Sequence, residues 1–215
     1  VIVNLPGATT NDINKKIISL REEGGAVTMG RVLTLVIAPD NEDILEDSVE
    51  AANFASREHP CRVIAVVPGG AERQESVWEG LQACPPEAEW ILVHDAVRPF
   101  VTPDLVEDVL AAARETGAAT CGLPVRETVK RARDGVVEST LDREGLWLIQ
   151  TPQAFWRPLL REAHERARRE GYRGTDDAVL VERLGRPVGI VPGSPQNLKV
   201  TTRDDLRVAR LWARG

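Results

Sequence analysis

Cysteine is scarce in this 215-residue chain: Cys61, Cys84 and Cys121 are odd in number, lie far apart and form no CxxC pair. Neither a disulfide framework nor a zinc site is suggested, and a reducing, cytoplasmic setting is expected. A basic excess is also missing. Against 27 Lys and Arg stand 33 Asp and Glu, a formal charge of −6, which argues against nucleic acid or an anionic membrane as the main partner. No apolar run is long enough to span a bilayer, and no signal-peptide pattern follows Val1, so neither membrane insertion nor secretion is expected. The first residue is not Met, which hints at a trimmed or engineered start. Internal repeats and low-complexity linkers are lacking too, so one α/β domain over 1–215 is the default reading.

What is present is an alternation of apolar runs and helical periodicity. Arg31–Ala38, Arg62–Val67, Trp90–Val93, Ala118–Leu123 and Pro187–Val191 read as buried strands. Asp43–Arg57 and Pro103–Thr116 carry Leu, Val and Ala at helical spacing. Val1–Pro6 reads as a short strand, and Thr10 or Asn11 as the cap of a helix running to about Glu23, stopped by Gly24-Gly25. Such alternation predicts a Rossmann-like, mostly parallel sheet with helices on both faces, whose ligands sit beyond the carboxyl ends of the strands. Val125–Ile149 departs from this rhythm: charged, alternating segments flank Asp134-Gly135, a hairpin signal, and predict a β-arm over about 125–150.

Several stretches can carry chemistry. Gly69-Gly70 follows a strand, and Arg73 and Ser76 open the next helix. This is an ordinary turn, or a place where backbone and helix N-terminus meet a nucleotide. Asp95, in His94-Asp95-Ala96-Val97-Arg98-Pro99, ends the strand Trp90–Val93. Its carboxylate can hold a divalent metal that bridges phosphates, or it can cap the next helix or pair with Arg98; His94 reads as structural. Beyond Gly69 nearly all cations are Arg, among them the cluster Arg126, Arg131 and Arg133 beside Thr128 and Lys130, with Arg143 on the return. Such a run is a solvated strand face or a phosphate grip. Gly174-Thr175-Asp176-Asp177-Ala178 reads as a helix cap, and Lys199 as a surface lysine or an active-site cation.

Gly69–Val77, His94–Pro99, Pro124–Lys130, Asp142–Trp147, Thr151-Pro152-Gln153 and Asn197–Thr201 together resemble the 2-C-methyl-D-erythritol 4-phosphate cytidylyltransferase family over about residues 68–215. The resemblance implies transfer of CMP from CTP to methylerythritol phosphate with loss of pyrophosphate, and Mg²⁺ as cofactor. It implies that Gly69, Gly70, Ser76, Ala96 and Arg98 line the nucleotide pocket, that Asp95 holds the metal and that Lys199 serves the active site. It further implies a homodimer, with Thr128 and Arg143 of the arm and Thr151 holding the sugar phosphate across the interface. Upstream, Arg21–Val27, Gly30–Val36, Ala51-Ala52-Asn53 and Ser56–Ile64 resemble the start of the glucose-6-phosphate dehydrogenase assembly protein family, so 1–67 reads as a foreign segment of a chimera joined near Val67-Pro68-Gly69. In place of the family's Ala-Ala-Gly-x-Gly-x-Arg triphosphate loop stands Asn4-Leu5-Pro6-Gly7-Ala8-Thr9-Thr10. Without that cradle of amides and cations, very weak or no turnover is expected. The competing readings are a non-catalytic dimeric scaffold with weak nucleotide binding and a dehydrogenase assembly factor.

Overall fold

Local chemistry sets the ends of the helix that covers one face of the sheet. Thr102 Oγ1 accepts from the backbone N–H of Leu105 at 3.3 Å, Pro103 stands in the first turn, and Gly117 stops the helix at φ 88° while its N–H returns to Ala113. The helix spans Pro103–Thr116, as its periodicity predicts, and buries Leu105, Val106, Val109 and Ala113.

The computed structural model describes residues 2–4, 33–38 and 62–213. The helices expected over about 10–23 and over 43–57, the sequence that replaces the glycine-rich loop after Asn4, and Cys61 lie outside the described residues. In chain order the elements are β1 (Ile2–Asn4), β2 (Leu33–Ala38), β3 (Arg62–Pro68), α1 (Arg73–Ala83), β4 (Trp90–Asp95), α2 (Pro103–Thr116) and β5 (Ala118–Pro124). There follow β6 (Val129–Arg133), β7 (Val136–Leu141), β8 (Trp147–Trp156), α3 (Arg157–Glu170), α4 (Ala178–Glu182), β9 (Gly189–Pro192) and α5 (Arg203–Trp212). None of the described helices is long and apolar enough to cross a membrane.

Seven strands form one sheet in the order β3-β2-β1-β4-β8-β5-β9. It is the expected mostly parallel sheet, except that β8 runs antiparallel between β4 and β5. This strand is absent from the sequence reading, which treats the stretch as the chain's return from the arm. Within the stretch 125–150 a separate two-stranded ribbon, β6–β7, spans Val129–Leu141, and from Trp147 the chain belongs to the main sheet. Asp134 (φ 50°) and Gly135 (φ 78°) turn the ribbon with two positive φ angles, as a two-residue Asp-Gly hairpin requires.

Alternation along β4 and β8 divides the apolar side chains between two layers. Ile91, Val93 and Phe155 pack with Val77 and Leu81 of α1 and Leu160 of α3, whereas Leu92 and Ala154 pack with Leu105 and Val109 of α2. Around β4, β5 and β8 the sheet is thus covered on both faces. The carboxyl ends of its parallel strands are left to carry polar chemistry.

Candidate active site

Asp95 closes β4, and on the neighbouring strand β1 the residue in register with it is Asn4. The antiparallel run of β8 brings Thr151 to the same level. Thr151 Oγ1 accepts from the Asp95 backbone N–H at 3.0 Å and lies 3.1 Å from His94 Nδ1. His94 Nε2 is 3.0 Å from the Arg98 carbonyl, which can only accept. Nε2 therefore donates, leaving Nδ1 of the neutral ring to accept the Thr151 hydroxyl proton. His94 and Thr151 in this way fix the turn that aims Asp95.

Three cations converge on the Asp95 carboxylate. Lys199 Nζ lies 3.0 Å from Oδ2, Arg98 Nε 3.7 Å from Oδ2, and Arg73 Nε 3.6 Å from Oδ1. Burial alone pushes the Asp95 carboxyl up, but Lys199, Arg73 and Arg98 outweigh it and hold the group below the usual carboxylate range. Arg98 is itself buried, which pushes its guanidinium down, and its Nη1 donates to the Asn197 carbonyl at 2.7 Å. An open cavity of about 220 Å³ lies against these groups, with Arg73, Asp95, Arg98, Gln150, Thr151 and Lys199 among its lining. Three cations against the two carboxylates of Asp95 and Asp176 leave a lining of net positive charge, which suits a small anion. Among the described residues no group of three or more His, Cys, Asp or Glu side chains is placed to hold a metal.

Of the residues singled out in the sequence, Arg73, Asp95, Arg98, Thr151 and Lys199 meet at this cavity, with Thr175 and Asp176 of the expected cap at its wall. Gly69, Gly70, Ser76 and Ala96 are not part of its lining. Gly70 N–H donates to Ser76 Oγ at 3.2 Å, Ser76 Oγ donates to the Glu72 carbonyl at 3.1 Å, and a Cβ at Gly70 would stand 2.3 Å from Glu75 Cβ. These contacts fix the tight entry to α1 and so deliver Arg73. Thr128 and Arg143 are exposed, away from the cavity, and Arg143 Nη1 donates to the Arg126 carbonyl, tying the start of the arm to its return.

The sequence reading takes Asp177 for part of a helix cap and misses its link to Arg73 and the part played by His164. Arg73 Nη1 donates to Asp177 Oδ2 at 2.8 Å, and His164 Nε2 donates to Asp177 Oδ1 at 2.9 Å. Asp177 is fully buried; burial pushes its carboxyl up, yet Arg73 and His164 hold it below its ordinary value. Burial likewise pushes Arg73 down, and Asp177, Asp95 and Asp176 more than reverse this. The expected helix cap is thus only half present. Asp176 Oδ1 accepts from the Val179 N–H at 3.0 Å, whereas Asp177 makes no capping bond and turns inward. Gln153, wholly buried, accepts from the N–H groups of Asp177 and Ala178 and donates to Thr120 and Asp176. No local pattern marks these residues, because their partners are distant in sequence.

The family model described as IspD, 2-C-methyl-D-erythritol 4-phosphate cytidylyltransferase, matches residues 21–214. The chain is 54% identical over 149 residues to the enzyme of that name from Pelotomaculum thermopropionicum, covering 69% of this chain and 63% of that one. It is 49% identical over 179 residues to a bifunctional enzyme IspD/IspF from Desulforudis audaxviator, covering 82% of this chain and 44% of the relative. Among solved structures, the 2-C-methyl-D-erythritol 4-phosphate cytidylyltransferase of Thermus thermophilus superposes with a TM-score of 0.75 at 33% identity, over 100% of this chain and 98% of that one. The match to the first of these relatives, and to others like it, spans less than two thirds of the relative's own length.

Proposed function

Because this chain belongs to the 2-C-methyl-D-erythritol 4-phosphate cytidylyltransferase family, we propose that its cavity transfers CMP from CTP to 2-C-methyl-D-erythritol 4-phosphate and releases pyrophosphate. The observation that carries this reading is the Asp95 carboxylate at the strand ends with Lys199, Arg73 and Arg98 around it. In the reaction a phosphate oxygen of methylerythritol phosphate bonds to the α-phosphorus of CTP, and the bond from that phosphorus to the pyrophosphate oxygen breaks. No protein nucleophile is needed, so the protein's part is to position and to neutralise. Mg²⁺, when bound at Asp95, supplies charge neutralisation of the phosphates. In this reading Lys199 and Arg73 take up negative charge from the leaving pyrophosphate, and Thr151 orients the sugar phosphate once its hydroxyl proton turns away from His94 Nδ1.

The nucleotide base side belongs in this reading to the Gly69-Gly70 turn, Ser76 and Ala96. The sugar phosphate is shared between Thr151 and the arm of a second copy. In favour of a dimer, Thr128 and Arg143 are exposed, and Val136, Val137 and Leu148 near the arm expose 68%, 57% and 62% of their surface. We also retain the foreign origin of residues 1–67. In its favour, three of the curated relatives align over 146 to 152 residues, close to the length of the stretch 68–215; against it stand the family match from residue 21 onward and the 179-residue alignment to the bifunctional relative.

Pyrophosphate release from CTP and methylerythritol phosphate with Mg²⁺ tests the assignment. Slow turnover is expected. Exchanging residues 1–67 for the first segment of a relative that carries the glycine-rich loop should raise it by roughly 100-fold or more, the value of a preorganised donor set. Absence of release in both proteins would refute the assignment, and rapid release by the native chain would refute the importance given to the loop.

A further inference from the structure

The buried pair behind Arg73 has no part in the chemistry above, yet it decides where that guanidinium stands. Arg73 lies between two carboxylates, 2.8 Å from Asp177 and 3.6 Å from Asp95. The closer partner is the buried one: the Asp177 side chain is 1% exposed, that of Arg73 26%. Asp177 cannot follow a moving arginine. His164, wholly buried, donates to its other oxygen, Gln153 holds its backbone N–H, and the His164 ring stacks on Trp78 with centroids 6.1 Å apart. Without this anchor the planar fork of Arg73 would close on Asp95, the carboxylate that already holds Lys199.

We propose that Asp177, clamped by His164, is a positioning residue that draws Arg73 off Asp95 and presents it to the cavity as an anion-binding cation. This inference rests on the cavity being the triphosphate side of the proposed cytidylyl-transfer site. It assigns to Asp177 and His164 no contact with substrate. Arg73 gives Nη1 to Asp177 and lies near Asp95 through Nε; in this reading the other donors of its five-donor fork serve phosphate oxygens, beside Asp176, which also lines the cavity. Asp95 keeps only a loose contact with Arg73, at 3.6 Å.

Inorganic pyrophosphate, titrated calorimetrically into the protein in metal-free buffer, reads the anion site without requiring turnover. Asp177→Asn removes the charge at nearly constant shape, and Asp177→Glu keeps the charge but moves it. If the carboxylate acts by position, both weaken pyrophosphate binding by about 10- to 100-fold, the range usual for groups that orient a ligand-contacting residue. In an Arg73→Gln background neither then has a further effect. If Asp177 merely neutralised Arg73, Asp177→Asn would bind pyrophosphate more tightly. Unchanged or tighter binding in Asp177→Asn, a further loss on top of Arg73→Gln, or a native chain that does not bind pyrophosphate overturns the inference. Should Asp177→Glu not fold, His164→Gln loosens the clamp without touching either charge in the Arg73–Asp177 pair and is expected to weaken binding in the same direction. Turnover with CTP judges the family reaction separately, so a chain that turns over but is indifferent at Asp177 refutes only the clamp.

Discussion

Arg73 and Arg133 each stand close to a carboxylate oxygen, 2.8 Å from Asp177 and 3.1 Å from Glu138. By distance the two pairs are nearly alike; by surroundings they are opposites. The first joins α1 to the buried entry of α4, with His164, Gln153 and Asp95 completing its bonds. The second lies on the β6–β7 ribbon, where the two side chains are 77% and 36% exposed. Water screens the ribbon pair and holds its members almost as well apart as together, so its net value is small. In the cavity wall, losing one member strands a charge out of water. Among the arginines of the second part of the sequence, Arg73 thus helps build the site while Arg133 solvates the ribbon; others, such as Arg161 and Arg166, pair on helix surfaces.

The sharpest break of this contrast is Asp177→Ala, which leaves Arg73 and His164 without their buried acceptor. Denaturant unfolding should show a loss of about 3–5 kcal/mol. Arg133→Ala, by comparison, should change stability by no more than about 0.5 kcal/mol; an equal loss at both sites would erase the distinction. A smaller effect is expected from acid. Asp95 and Asp177 both have folded-state values below those of the unfolded chain. Their contribution is therefore present above the ordinary carboxylate range and is lost as pH falls through the lower, folded-state values. Stability followed from pH 6 downward should decline below about pH 4, and Asp177→Asn should flatten that decline. An unaltered profile in the variant would show that other carboxylates dominate it. Least of these is Gly135→Ala. Nothing lies within 4 Å of a Cβ built there, but φ is 78°, so the cost is backbone strain alone, about 1 kcal/mol. Thermal melting of the variant should show that modest shift with pyrophosphate binding unchanged.

Elements whose instructions are local are readable. Thr102, Pro103 and Gly117 bracket α2, and the apolar run from Trp90 marks β4. Strand β8 escapes because Gln150, Pro152 and Gln153 interrupt its apolar pattern. In the fold those glutamines are buried and satisfied by Ser194, Thr120, Asp176 and backbone groups that no window around residue 150 contains. The site divides in the same way. Asp95, Arg98, Thr151 and Lys199 stand in motifs, whereas Asp177 reads as part of a cap, because a cap and a buried acceptor share the same short sequence. What separates them is Arg73, 104 residues away.

Strand β1 gives the molecule an unusual order of assembly. Only three residues long, it pairs with β2 on one side and with β4 on the other, Ile2 lying opposite both Leu35 and Val93. It is the seam between the β2–β3 pair and the remaining strands. On a ribosome, residues 2–4 must therefore wait until Asp95 has been synthesised before their slot is complete. Such long-range closure is slow, since the chain loses loop entropy before the pairing rewards it. The slot beside the cavity carboxylate is therefore completed only by strands from distant parts of the chain.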